Sequence, residues 1–333
     1  MGSSDVTIYQ VAETAGVSIS TVSLALNHPD RVSERTRERI IEVAGELGYR
    51  PGATASERAR RRTGRIAVLA PFSSYESYRT RLIGVLEACA PDDVEVVVHD
   101  APSAAATSSP LLDALPVRGD VDGLVVMGVP LADEGAERLR RWGPPTVLVD
   151  SAHPAFSSVT FDDEQAGYLL GAHLLERGHR HLGYLHEPQR SMSYVSPGML
   201  RRDGVRRALR EVDGGVLDDL ELPGNDLAAA REFAAGFAAR ADRPTAVIAH
   251  HDVLAAGVLA GLRAAGVAVP AEVAVAGIDD GPLAEGLGLT TVRQPFAESG
   301  RRAGELLRSL IGKPGRTPGR TLLTPRLIVR ETT

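Results

Sequence analysis

Over the first fifty residues apolar side chains recur every three or four positions in three short blocks, the period of helices buried along one face. Ile8, Val11, Ala12 and Ala15 form the first block. Thr7 precedes it as an N-cap, and Gly16 follows as a residue that tolerates left-handed backbone. Ser18 predicts the cap of a second helix reaching Leu26, buried through Val22 and Ala25 or Leu26, with Ser20, Thr21, Ser23 and Leu24 pointing outward. Ser33 opens a third helix that turns Ile40, Ile41, Val43, Ala44 and Leu47 inward and stops at Gly48. From Arg65 the period changes. RIAVLA, VEVVV, GLVVM, TVLV, HLGYL, AVIA and VAVAGID are short continuous apolar runs separated by amphipathic stretches. One such stretch, Glu164 to Arg177, turns Ala166, Leu169, Leu170 and Leu174 inward before Gly178. The alternation predicts buried parallel strands with crossover helices, an open α/β architecture. Periodicity leaves one large sheet and two doubly wound halves equally open.

Three short helices, a tight turn and an exposed, uncharged, hydroxyl-rich face match a helix-turn-helix that reads the major groove. The segment VTIYQVAETAGVSISTVSLALN resembles the N-terminal signature of the lac repressor (LacI/GalR) family, V-T-[IL]-x-D-V-A-x-x-A-G-V-S-x-x-T-V-S-x-x-L-N, and departs from it at Gln10. The resemblance implies base contacts from Ile19, Ser20, Ser23 and Leu24. It implies phosphate anchoring by Tyr9, Ser18, Thr21, Asn27 and Ser33, and it adds Thr7, Ile8 and Tyr49 to the DNA-facing set. At Leu24 the family often carries an arginine that forks onto guanine; leucine offers only apolar contact, for instance to a thymine methyl. After Tyr49-Arg50-Pro51 the family has a hinge helix that opens the central operator step with a leucine. Ala55 and Arg58 fall in that hinge, and Arg58 stands at the leucine, so an electrostatic approach to a narrow minor groove is expected instead of an apolar wedge.

The later motifs extend the resemblance along nearly the whole chain. VTFDDEQAGYLLGAHLLERGHRHLGYL, MLRRDGVRRAL, PAEVAVAGIDD and LTTVRQP followed by PRLIVRETT are similar in order and spacing to the family's blocks. They imply a head over 5–51, a hinge over 52–63 and a core over 64–330. The core divides into two doubly wound α/β subdomains of periplasmic-binding-protein type, about 64–160 with 293–312 and about 161–292 with 318–330, with a ligand cleft between them. Effector contacts carried over by position are Asp162, Arg201, His251, Asp279, Gln294 and Phe296. His251 stands where the family often has asparagine. Asp279 also lies just past a predicted parallel strand, where open α/β sheets bind ligands. An arginine and a carboxylate there suit the hydroxyls of a sugar or polyol, while an arginine equally suits a carboxylate or phosphate.

Composition narrows the classes. With 333 residues and 43% apolar content the chain can build sizeable cores. No apolar run of eighteen residues and no secretory signal is present, so a cytoplasmic protein without a membrane partner is expected. Cys89 lies in an apolar helical pattern and reads as a core thiol. Residues 1–65 carry a formal charge of +2 and the remainder −8, and the basic run Arg58, Arg60, Arg61, Arg62 and Arg65 suits either phosphates or a solvated linker. His173, His179, His181 and His186 have no acidic or sulfur ligand at metal spacing, and no nucleophile is paired with a base. No enzyme, metal or cofactor is therefore expected. A homodimer on a pseudo-palindromic double-stranded DNA operator, gated by a small molecule such as a carbohydrate, is the reading. No leucine heptads follow the last strand, which favours a dimer over a tetramer. The rivals are an exported solute receptor and an architectural DNA-binding protein.

Overall fold

The computed structural model describes residues 6–49, 63–101, 112, 114, 120–188, 195–312 and 317–333. The hinge positions Ala55 and Arg58, with nearly all of 52–63, lie outside the described residues.

The head consists of α1 (Ile8–Ala15), α2 (Ile19–Asn27) and α3 (Glu34–Leu47). The Thr7 N–H donates to Gln10 Oε1 at 2.7 Å, so the departure at Gln10 serves the helix start. Ser18 Oγ accepts the Thr21 N–H at 3.1 Å and caps α2. Gly16 and Gly48 sit at φ of 64° and 70°, each followed by a residue whose N–H reaches back five positions, Val17 to Ala12 and Tyr49 to Ala44. The second of these turns folds Tyr49 back into the head's core, beside Val11, Val22, Leu26, Ile40 and Ile41. Tyr49 therefore does not face outward as expected, and burial raises its hydroxyl pKa. Leu47, expected inside, is 37% exposed, because the returning Tyr49 takes the core position at that end.

The chain divides into two units, residues 1–160 with 296–321 and residues 161–295 with 322–333. The returns fall at Phe296 and Leu322 rather than at 293 and 318, and the last residues are buried in the second unit through Thr332 and Thr333. Beyond the head, the first unit holds β1 (Arg65–Ala70), α4 (Ser77–Cys89), β2 (Glu95–Asp100), β3 (Gly123–Met127), α5 (Asp133–Trp142), β4 (Thr146–Val149) and β5 (Ser157–Phe161). After the chain returns it adds α11 (Phe296–Gly312) and β11 (Arg320–Leu323). Its sheet runs β2-β1-β3-β4-β5-β11, parallel from β2 to β5. The second unit holds α6 (Asp163–Glu176), β6 (His181–His186), α7 (Pro197–Leu209), β7 (Val216–Glu221), α8 (Leu227–Ala238), β8 (Ala246–Ala249), α9 (Asp252–Ala264), β9 (Ala274–Asp279), α10 (Pro282–Leu287), β10 (Thr290–Arg293) and β12 (Arg326–Ile328). Its order is β7-β6-β8-β9-β10-β12, with only β12 antiparallel to its neighbour. The same strand order thus occurs twice, and each sheet reverses direction between its first and third strands, the position at which such sheets hold ligands.

Glycines set the helix crossings. A Cβ on Gly167 of α6 would lie 1.7 Å from the Arg201 carbonyl oxygen of α7, and one on Gly204 of α7 would lie 1.9 Å from that of Glu164. The first unit repeats the device: Gly84 of α4 faces the Ala297 carbonyl at 2.0 Å, and Gly300 of α11 faces that of Arg81 at 1.8 Å. Neither crossing has room for a methyl group. Gly167→Ala is expected to cost about 3 kcal/mol or more in urea denaturation, the upper range for overpacking. Gly236→Ala, on α8 with no atom within 4 Å of the added Cβ, should instead be neutral or stabilising by about 0.5 kcal/mol.

Candidate functional site

The head exposes Tyr9, Ser18, Ile19, Ser20, Ser23, Asn27 and Ser33, while Ile8, Thr21 and Leu24 are half-buried. On α2 the outward side chains are uncharged, and Ile19 is 39% exposed although large and apolar. The hydroxyls are ordered along the helix: Ser18 Oγ lies 2.7 Å from Ser20 Oγ and 2.8 Å from Thr21 Oγ1. Asn27 Nδ2 donates to the Ser23 carbonyl at 3.1 Å, and Ser33 Oγ donates to Thr36 Oγ1 at 2.8 Å. A rigid, neutral, hydroxyl-bearing ridge on a sealed core is a shape that base edges and phosphates can meet.

In the second unit the carboxyl ends of β6, β8 and β9 gather a buried polar cluster. Arg201, on α7, donates from Nε to Asp163 Oδ1 at 2.8 Å and from Nη1 to the His250 carbonyl. Burial opposes the charge of this guanidinium, but Asp163 and Asp279 outweigh it and its pKa moves up. Asp279 ends β9 at φ 139° and accepts from Gln294 Nε2 at 3.1 Å. His250 and His251, after β8, both direct Nε2 at Asn225 Oδ1, at 3.2 and 2.5 Å. His251 Nδ1 accepts the Leu254 N–H at 3.3 Å and caps α9, so the ring is neutral. Burial and then the Arg201 charge lower its pKa to about 3. Burial, His251, Arg201 and His186 lower that of His250 well below the ordinary value. Asp252, beneath them, accepts from the Asp280 N–H at 2.7 Å and Thr291 Oγ1 at 2.7 Å, yet burial raises its pKa to about 6. Asp280 is held by Arg293 and Arg330, each at 2.6 Å.

Of the expected effector residues, Arg201, His251, Asp279 and Gln294 therefore belong to one network. Asp162 borders it but is engaged as the cap of α6, its Oδ1 accepting the Gln165 N–H at 3.0 Å, and its neighbour Asp163 makes the ion pair. Phe296 lies in the first unit, where the Arg81 guanidinium stacks 4.3 Å over its ring and 5.1 Å over that of Tyr78. Arg81 pairs with Asp150 at 2.5 Å, both side chains buried, at the carboxyl end of β4. Sequence reasoning missed Arg81, Asp150, His250 and Asn225. The histidines singled out in the sequence have other partners: His181 and His186 lie 2.9 and 2.5 Å from Asp218 and Asp219, His173 2.9 Å from Thr333, and His179 2.9 Å from Thr245. Cys89 is buried, which raises its thiol pKa.

Two family profiles match: bacterial regulatory proteins of the lacI family over residues 7–52, and a periplasmic binding protein-like domain over 172–333. The HTH-type transcriptional repressor PurR of Vibrio cholerae serotype O1 is 30% identical, the match covering 90% of this chain and 90% of the relative. A LacI family transcriptional regulator from Arthrobacter sp. FB24, solved in complex with lactose, matches with a TM-score of 0.67 and 30% identity over 81% of this chain and 99% of its own. The lac repressor dimer bound to operator and the anti-inducer ONPF matches with a TM-score of 0.71 and 26% identity over 99% of both chains.

The histidines set a pH dependence. A histidine whose folded pKa is lowered contributes stability that is present above its unfolded value near 6.5 and is lost as pH falls toward 3, at up to about 1.4 kcal/mol per pH unit for each ring. Asp252 acts oppositely, its share being present below 3.8 and lost as pH rises to about 6. Burial lowers the pKa of His173 and His179 as well, and four rings outweigh one carboxyl. The protein is expected to lose stability from pH 7 to pH 5 in urea titrations, and His251→Asn, which retains a capping side chain, should make the slope shallower. An unchanged slope in that variant would contradict the assignment.

Proposed function

The chain belongs to the LacI family of DNA-binding transcriptional regulators, and from that premise we propose that it is a repressor whose operator affinity is controlled by a sugar or related polyol. The observation that carries the DNA reading is the uncharged outward face of α2, where Ile19, Ser20 and Ser23 stand on a closed three-helix core. These side chains, with Leu24, read bases, and Tyr9, Ser18, Thr21, Asn27 and Ser33 meet phosphates. The hinge reading, in which Arg58 enters a narrow minor groove in place of an apolar wedge, rests on the sequence. Two copies bind a pseudo-palindrome. Exposed Ile83 and Leu86 on α4 and Val98 on β2 support self-association through the first unit, and the action is in the cytoplasm, where the DNA is.

The effector is held by Arg201, Asp279, His251 and Gln294, with Asp163 fixing the arginine. The charge of this set argues for a neutral ligand. Arg201 is already engaged by Asp163, both histidines are neutral, and Asp279 adds a negative charge. A carboxylate or phosphate about 4 Å from Asp279 would meet on the order of 4 kcal/mol of repulsion at an effective dielectric of 20. Hydroxyls meet both donors and acceptors there. Effector binding shifts the population between two poses with different operator affinity, by its differential affinity for them.

Fluorescence anisotropy with DNA upstream of the protein's own gene tests both halves. Salt-sensitive binding to a palindromic segment is expected, and Ser23→Ala should weaken it by about 1–3 kcal/mol. A panel of neutral sugars should change the affinity, whereas their acidic counterparts should not. Asp279→Ala should bind operator normally and lose the sugar response. Absence of any sequence-selective complex would defeat the DNA reading, and a response confined to anions would defeat the effector reading.

A further inference from the structure

The chain has one tryptophan, Trp142, and it is the last residue of α5. That helix buries Ala136 and Leu139 in the first unit, carries Asp133 and Glu134 in its first turn and Arg140 and Arg141 in its last. Gly143 closes it with an N–H to the Leu139 carbonyl at 2.9 Å, and Pro144 and Pro145 lead directly into β4. The indole is thus mounted on a short, stiff connection. Its apolar neighbours are those of the head: together with Ala114 it joins the cluster formed by Val11, Ile40, Ile41, Ala44 and Tyr49. Facing it on α3 is Gly45, where a Cβ would lie 2.4 Å from Trp142 Cδ2 and 2.6 Å from Cε2 and Cε3. Glycine weakens a helix relative to alanine, and in the last turn of α3 the ring leaves no room for a side chain at Gly45. The Arg141 guanidinium lies 5.1 Å from the ring centroid.

We propose that Trp142 and Gly45 form a latch that holds the helix-turn-helix head on the α/β portion of the first unit. The latch engages α3 and leaves the outward face of α2 uncovered, since Ile19, Ser20 and Ser23 remain exposed. It therefore orders the head for DNA and does not hide it. This second step rests on the DNA reading above; the latch itself does not. Pre-ordering removes part of the orientational cost of binding, so losing the latch lowers operator affinity.

Because the latch holds the only tryptophan, intrinsic fluorescence reads it directly in the full-length protein without DNA. Gly45→Ala, a change that favours the helix, is expected to shift Trp142 emission to longer wavelength and raise its quenching by acrylamide. Helical circular dichroism should be retained, and Glu46→Ala on the exposed side should match the parent. Operator affinity of Gly45→Ala should fall about fivefold, the low end of coupling between sites. Unchanged emission and quenching would overturn the latch. A shift with equal or tighter operator binding would overturn the pre-ordering step. Trp142→Ala gives a second reading, through faster hydrogen exchange at the amides around Gly45, and unchanged exchange would likewise overturn the latch. If no operator complex forms with any variant, the DNA reading fails while the emission result still decides the latch.

Discussion

Two helix crossings without side chains at their centre set the positions of two buried arginines, Arg201 and Arg81. In the second unit α6 and α7 meet backbone to backbone at Gly167 and Gly204, and the carbonyl against Gly167 is that of Arg201 itself. In the first unit α4 and α11 meet at Gly84 and Gly300, and the carbonyl against Gly300 is that of Arg81. A long, flexible side chain is costly to immobilise from its tip alone. Fixing its Cα by an incompressible contact leaves only the rotamers to be chosen by a buried carboxylate, Asp163 for one and Asp150 for the other. The duplication of strand order is thus accompanied by a duplication of the way a guanidinium is anchored.

The electrostatics follow from that anchoring. Buried ion pairs gain little net stability, because desolvation offsets the attraction, but they fix geometry and leave little charge over. Around Arg201 the remaining groups are tuned the same way: two rings kept neutral by burial and shared hydrogen bonding at Asn225, and a carboxyl, Asp252, satisfied by main-chain N–H groups. What results is a polar surface of mixed donors and acceptors with a weakly negative balance, on a rigid support. Such a surface discriminates by hydrogen-bond geometry more than by charge.

Much of this was legible in the residues. The head's caps and glycine stops fixed three helices because local chemistry decides them, and all seven apolar runs became strands, most of them buried along their length and β2 at a sheet edge. β7 escaped notice since it lies at a sheet edge and reads VLDDLE, its Asp218 and Asp219 finding His181, His186 and Arg202 across space. β10 escaped because its Thr290 and Thr291 are buried by hydroxyl bonds to Thr333 and Asp252, more than a dozen positions away. The resemblance alone turns Tyr49 outward; the left-handed turn at Gly48 is what carries it into the head's core. Family position pointed to Arg201 and Asp279, which share one polar network. It could not find Asn225 or the role of Asp163, which exist only once the sheet has brought β8, α6 and α7 together.

The chain leaves the first unit after Thr160 and comes back at Phe296. Most of its sheet and α4 are synthesised early, but α11, which packs Gly300 on Arg81 and Leu307 beside Gly123, emerges from the ribosome only after residues 161–295 of the second unit have been made. One face of the nascent first unit stays uncovered through translation of more than a third of the polypeptide, so biosynthesis at about 5–20 residues per second leaves it waiting for many seconds as a client for chaperones.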